Sequence, residues 1–319
     1  MDILRDTHIN WLKYRWYFFS ISLVLFLVGA VDIYRKGGLR YGIDFSEGTI
    51  VYAKFENTPE IESIRQALAN SGLGEVIIQR YDQPSLNQVM IRAERQAEQT
   101  GDLDTAANQI LDTLRERYQE NRLVDSSTEI VGPVVGQELR RKARNATLLA
   151  LAAMLIYIGL RFEFIYGVGA TIAVLHDVLL TLGLLSLFGY EISLNVIAAF
   201  LTLVGYSVND TIVIFDRVRE NRRFLRRKSL DEIINLAINQ NLRRTLLTAG
   251  ATFLTVLSLY LVGGEVLRSF SFVLVVGIIV GTYSTLAIAS PVVSWWRRVR
   301  EKRTLDRAKT EAPAAPRAS

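Results

Sequence analysis

Six stretches of this chain are apolar enough to cross a bilayer, and most of its charges lie between them. They read as Tyr14–Val31, Asn145–Gly159, Ile165–Phe188, Ile192–Phe215, Thr245–Val262 and Ser269–Trp296. Half of the 319 residues are hydrophobic and 22% are charged, so it is the segregation that carries the inference. A multi-pass membrane protein is expected. There is no cysteine, which excludes disulfides and thiolate chemistry. The first run, ending Leu27-Val-Gly-Ala-Val31, also fits a cleaved signal peptide. Trp11, Tyr14, Trp16 and Tyr17 read instead as an interfacial anchor of an uncleaved span.

Lys and Arg set the expected orientation. Asp216–Arg244, read as a loop, carries nine of them, and Arg297, Arg298, Arg300, Lys302 and Arg303 follow the last span. The short loops Gly189–Glu191 and Gly263–Arg268 carry one between them. By the positive-inside rule both termini are cytoplasmic and the segment after the first span faces outward. That segment, Ile33–Glu138, holds 17 acids and 11 bases, a net of −6, against +5 for the whole chain. The basic balance therefore belongs to cytoplasmic loops, which suit anionic lipid or a cytoplasmic partner rather than nucleic acid. The expected division is 1–31 for the N-terminus and first span, 32–138 for the outward domain, 139–296 for the remaining spans, and 297–319 for a basic disordered tail.

The outward segment reads as strand Ile50–Phe55, a helix opening at Thr58-Pro59, strands Glu75–Tyr81 and Gln88–Ala93, a helix from near Asp104, and a strand Ser127–Val131. This β-α-β-β-α-β order is that of a ferredoxin-like split unit. The fold class expected is thus a six-helix membrane bundle with one α+β ferredoxin-like periplasmic domain between helices one and two. Gly42-x-Asp44-x-x-x-Gly48 lacks the spacing and the Lys of a phosphate loop, and no nucleophile–base set or metal cluster stands out. A binding or lever domain is expected, not an enzyme. Gly132, Pro133 and Gly136 read either as a simple turn or as a hinge at the domain–membrane junction.

Asp210 is the residue that an apolar span has most difficulty accommodating. An ionised Asp at the centre of a spanning helix costs about 2.5–3.5 kcal/mol. On a helical projection Ile197, Leu201, Val204, Val208, Ile212 and Phe215 form one arc. Asn195, Thr202, Tyr206, Asn209 and Asp210 form the opposite arc. The apolar arc is expected against lipid and the polar arc against packed helices. Asp210 lies about 9 Å before Asp216, and is read as a proton or ion carrier or, alternatively, as an interhelical tie. Asp177, near the middle of the third span, is a second candidate for relay or structure. Its neighbour His176 points about 100° away on a helix and is not expected to pair with it. Arg244, at the basic end of the fifth span, is either a topology anchor or a counter-charge that would favour an ionised Asp210. Gly277-x-x-x-Gly281 reads as a helix-packing motif.

Several of these motifs together resemble the SecD/SecF family of bacterial protein-export membrane proteins, on its SecF side, within the wider resistance-nodulation-division group. They are Tyr41-Gly-Ile-Asp-Phe-Ser-Glu-Gly-Thr49, Val131–Leu139, Val204–Arg217 with Arg219-Glu-Asn221, Arg244–Thr248, and Gly277-x-x-x-Gly281-Thr-Tyr283. Glu47 departs from the family pattern, which has Gly there. The resemblance implies a subunit of the bacterial inner membrane that pairs with a six-span SecD and assists preprotein export beside the SecY/SecE/SecG channel. YajC and YidC are further candidate neighbours. It implies no cofactor, the proton-motive force being the energy source, with Asp210 and Arg244 on the proton path and Asp177 at a matching acidic position. The other readings are a small-molecule or lipid exporter of the same group and a purely structural partner subunit.

Overall fold

The structure is a computed structural model that describes residues 7–45, 48–69, 71, 73, 76–81, 87–94, 103–131, 133–161 and 163–311. Among these, six helices are long and apolar enough to cross a membrane. Helix α1 spans Arg15–Arg35. A small α/β unit follows, with β1 (Gly48–Phe55), α2 (Ile61–Leu68), β2 (Val76–Tyr81), β3 (Gln88–Glu94), α3 (Leu103–Arg117) and β4 (Leu123–Val131). The bundle then continues through α4 (Pro133–Arg161), α5 (Phe164–Leu187), α6 (Leu194–Phe224), α7 (Leu230–Val262), α8 (Gly264–Ser284) and α9 (Ser290–Glu311). A π-helical turn, Thr285–Ala289, joins the last two.

The four strands form one antiparallel sheet in the order β2-β3-β1-β4. Successive side chains of a strand point to opposite faces. Val51, Ala53 and Phe55 of β1 and Val89, Ile91 and Ala93 of β3 therefore share a face, where they meet Ile64 and Leu68 of α2 and Ile110 and Leu114 of α3. The opposite face carries Ile50 and Arg92, both buried, and Tyr52 stacked near Tyr81. Among the described residues α2 and α3 pack on the other face, and Arg92 on this one reaches Glu191 of the bundle.

Helices α5, α6 and α8 form the bundle centre. Gly277 and Gly281 of α8 let it close on α6: a Cβ on Gly277 would lie 2.5 Å from Leu203, and one on Gly281 would lie 3.3 Å from Ser207. This is the close packing that a small-xxx-small pattern permits. Helix α1 crosses α5 at a second glycine contact, where a Cβ on Gly29 would come 2.7 Å from the Gly183 Cα. Backbone cannot yield there as a side-chain tip can. Gly29→Val is expected to cost about 1–3 kcal/mol and to lower the melting temperature in detergent. Gly159→Ala, with nothing within 4 Å of its Cβ, should not. Equal melting temperatures for the two variants would count against the crossing.

Several boundaries differ from expectation. The loop expected over Asp216–Arg244 is mostly helix: α6 runs on to Phe224 and α7 begins at Leu230. The reason is local. Ser229 and Glu232 form a reciprocal capping box, and Ile233, Ile234, Ala237, Ile238 and Leu242 bury one face of the new helix. The expected disordered tail is helical to Glu311, because Arg, Lys and Glu are good helix formers and Pro291 stands in the first turn, where proline is tolerated. Helix α2 starts at Ile61 rather than at Pro59, since Thr58 is taken up by a hydrogen bond to Asn87. Pro133 opens α4, a position where its missing N–H costs nothing, and Gly136 is buried in the same helix. Gly132 and Glu47 lie outside the described residues.

Candidate functional site

Asp210 sits on α6, 16 residues on from Leu194, or about 24 Å along the axis from the end nearest the sheet. It is 7% exposed, and its Oδ2 is buried with no hydrogen-bond partner among the described residues. Thr245, buried, and Arg244 are adjacent on α7, which packs against α6, but among the described residues neither forms a hydrogen bond or ion pair with Asp210. Arg244 itself is exposed. It lines a cleft of about 410 Å³ with Tyr157, Asp216, Glu220 and Asn241. Asp210 and Arg244 thus face the same α6–α7 seam, one from inside the bundle and the other from the cleft. The Tyr206 hydroxyl, one turn before Asp210, is also buried with no hydrogen-bond partner among the described residues. Two unsatisfied polar atoms on one helical turn are costly, and such atoms are rare in native structures unless a further group serves them.

Asp210 faces inward as the projection suggests, but much of the rest of α6 does not follow it. Val204, Val208 and Phe215, expected against lipid, are buried in a cluster with residues of α4, α5, α7 and the π-helical turn. Asn195, Thr202 and Asn209, expected inside, are exposed, and Tyr206 is half-buried. Asp210, at the edge of the polar arc, is buried as expected, and it is Asn195, Thr202 and Asn209 on the rest of that arc that this chain leaves uncovered.

Asp177 is in the opposite condition. It is 1% exposed, and its Oδ2 accepts from Ser207 Oγ of α6 at 2.5 Å and from Ser284 Oγ of α8 at 2.7 Å. Its Oδ1 lies 2.9 Å from His176 Nδ1. His176 and Asp177 therefore do pair, contrary to the helical-wheel expectation. Adjacent side chains diverge at Cβ, but a ring nitrogen can fold back onto the next residue's carboxyl when both are packed. His176 Nε2 continues to Ser22 Oγ of α1 at 2.9 Å, and Tyr283 of α8 meets the same Ser22 oxygen at 2.9 Å. One carboxyl thus ties together α5, α6 and α8, and through His176 it reaches α1. Among the described residues no group of three or more acids and histidines is placed to hold a metal.

Residues 110–299 match the family described as protein export membrane protein SecD/SecF, C-terminal. The protein translocase subunit SecF of Koribacter versatilis is 39% identical, with 95% of each chain covered. That of Calditerrivibrio nitroreducens is 42% identical over 94% of this chain and 98% of its own. The chain belongs to the SecF family of protein translocase subunits. The Escherichia coli O157:H7 SecF is 38% identical over 88% of this chain and 85% of its own. Among solved structures, SecDF of Thermus thermophilus, described as a translocon-associated membrane protein, superposes with a TM-score of 0.79 at 35% identity. That match covers 93% of this chain and 40% of the longer one.

The SecF signature around Tyr41 has a definite place. Gly42 N donates to Ile192 O at 2.7 Å and Ile192 N donates to Arg40 O at 2.8 Å, so the segment pairs with the α5–α6 loop. A Cβ on Gly42 would lie 3.1 Å from Ile192 O, which explains the glycine. Asp44 Oδ2 accepts from Leu194 N at 2.7 Å and Ser193 Oγ accepts from Val196 N at 3.2 Å. Two of the unpaired N–H groups at the start of α6 are satisfied in this way. Phe45 is buried with Leu185, Ile192 and Val196. Gly48 is simply the first residue of β1. Sequence reading missed the partners Ser22, Ser207, Tyr283 and Thr245. The only signal for them was an excess of hydroxyls in apolar helices, which is equally common where nothing but packing is at stake.

Proposed function

We propose that this chain is the proton-driven half of a Sec accessory complex and is complete only when a second six-span bundle of SecD type covers the polar arc of α6. The observation that carries this reading is Asp210: a buried carboxyl with an unserved oxygen, on the helix whose polar side is left open. Polar side chains at membrane depth face a protein interior or a water-lined path. Asn195, Thr202 and Asn209 find neither within this chain, so a partner must supply it.

In the mechanism, the Asp210 carboxylate binds one proton from an outside-connected path and becomes neutral. Its attraction to Arg244 is then lost, and α6 and α7 shift along their seam. Release of the proton toward the cytoplasmic end restores the charge and the original packing. Asp177, with every oxygen occupied, holds α5, α6 and α8 in register while this happens. Both termini face the cytoplasm in the bacterial inner membrane. The sheet unit, a ferredoxin-like domain, stands on the outer side, where it engages emerging preprotein. SecY, SecE and SecG provide the channel, and YajC and YidC are further neighbours. No bound cofactor is needed, because the proton gradient supplies the energy.

Purification in mild detergent tests the interface. The chain is expected to bring down a SecD-type subunit in equal amount. Thr202→Trp and Asn209→Trp place bulk on exposed positions, so the isolated chain should fold normally while partner recovery falls about tenfold, a loss of roughly 1.4 kcal/mol. Full recovery with both variants would remove α6 from the interface.

A further inference from the structure

The sheet unit is bound to the bundle by more than its two covalent connections. Arg92 projects from β3 on the sheet face opposite α2 and α3, the face turned toward the membrane part. It is 3% exposed, and its Nη1 donates to Glu191 Oε2 in the α5–α6 loop at 2.8 Å. Its Nη2 donates to the Tyr41 carbonyl at 3.4 Å. Glu191 immediately precedes Ile192, the residue that pairs with Tyr41, and lies three residues before the first residue of α6.

Two grips therefore meet at the outward end of α6. One belongs to the chain just after α1: the Gly42–Ile192 backbone bonds, the Asp44 cap on Leu194 and the buried Phe45 fix this segment to the helix start. The other is carried by the sheet itself and is centred on Arg92, which pairs with Glu191 and donates to the Tyr41 carbonyl. The first is made of backbone pairing and apolar burial and has no easy alternative arrangement. The second depends on an ion pair whose acid, 32% exposed, can turn to water.

From this arrangement we infer that Arg92 and Glu191 form a releasable latch that sets the orientation of the sheet unit on α6. The latch delivers a shift of the Asp210-bearing helix to the outward domain. The route of coupling runs up α6 to Leu194 and across Glu191 to β3. Pro133 and Gly136 belong to α4 and are not needed for this route. Arg92 and Glu191 are positioning residues in this scheme, which rests on the proton-driven reading of Asp210 proposed above.

The test uses the chain assembled with its partner in proteoliposomes. The chain contains no cysteine, so Val124→Cys on β4 and Phe188→Cys beyond α5, both exposed, accept a pair of spin labels. Without a gradient a narrow distance distribution is expected. A proton gradient should broaden it. Glu191→Gln should give the broadened distribution with or without a gradient and should lower gradient-driven export about fivefold or more. Arg92→Met, which keeps volume while removing charge, should behave the same way, and the double variant should be no worse than either single one. Asp210→Asn should stay narrow under a gradient. Unchanged distributions in both Glu191→Gln and Arg92→Met would overturn the latch. If Asp210→Asn responds to the gradient as the parent does while Glu191→Gln is still broad, the latch stands and the relay reading falls.

Discussion

Replacing Asp210 by Asn is expected to abolish the gradient-dependent part of preprotein export while leaving the protein as stable as before, or more so. Asn matches Asp in size and can serve Thr245 as a neighbour, but it cannot bind and release a proton. The carboxyl is 7% exposed and its Oδ2 has no hydrogen-bond partner among the described residues. An ionised acid in a membrane helix carries a penalty of about 2.5–3.5 kcal/mol, part of which the neutral amide recovers. Loss of activity together with unchanged or raised stability is the pattern expected of a functional group held at a cost. In inverted vesicles the stimulation of export by an imposed gradient should fall by at least about tenfold, equivalent to 1.4 kcal/mol of driving advantage. The melting temperature in detergent should not drop. A variant that exports at the parent rate would show that Asp210 carries no coupling proton, and a purely structural subunit would then be the better reading.

The sequence made the six spans and the order of strands and helices in the sheet unit legible, since both rest on periodic patterns that one chain displays by itself. Val51, Ala53 and Phe55 alternate, and only one face of the sheet can then be buried under α2 and α3. Asp210 could also be found, because an acid inside an apolar run is conspicuous without any structure. What could not be read was which side of α6 this chain covers. The projection separated its two arcs but could not say that this chain's own helices would bury Val204 and Val208 and leave Asn195, Thr202 and Asn209 bare. That depends on which helices meet, a long-range property. The helical continuations to Phe224 and from Leu230 were obscured by charge: nine basic residues looked like loop, although a helix face buried by Ile233, Ile234 and Ile238 tolerates Arg on its other sides. Arg92 and Glu191 lie 99 residues apart in an otherwise ordinary distribution of charges, and nothing in the sequence couples them.

Asp177 should respond to substitution in the opposite way from Asp210. Its oxygens accept from Ser207 and Ser284 and contact His176, and the chain of contacts passes on to Ser22 and Tyr283. Removing the carboxyl strands the buried Ser207 hydroxyl, leaves Ser284 only its long bond to the Gly281 carbonyl, and frees His176 Nδ1, all at the meeting point of α5, α6 and α8. Each orphaned group costs about 1–3 kcal/mol, and breaking such a buried network by deleting one member costs about 3–5 kcal/mol in total. Gly281 passes close to the same carboxyl, so the surrounding helices have little room to collapse into the space left behind. Asp177→Ala is therefore expected to lower the melting temperature well below that of the parent and to reduce the amount of folded protein recovered from membranes. Asp177→Asn, which keeps one acceptor oxygen and cannot satisfy all three neighbours, should fall between them. Export should decline in proportion to folded protein and remain responsive to the gradient. If both variants instead keep the parent melting temperature and lose the gradient response, Asp177 belongs on the proton path with Asp210. The distinction rests on hydrogen-bond supply: a carboxyl whose oxygens are all engaged is held in place by its neighbours, whereas one with an idle oxygen is free to exchange a proton.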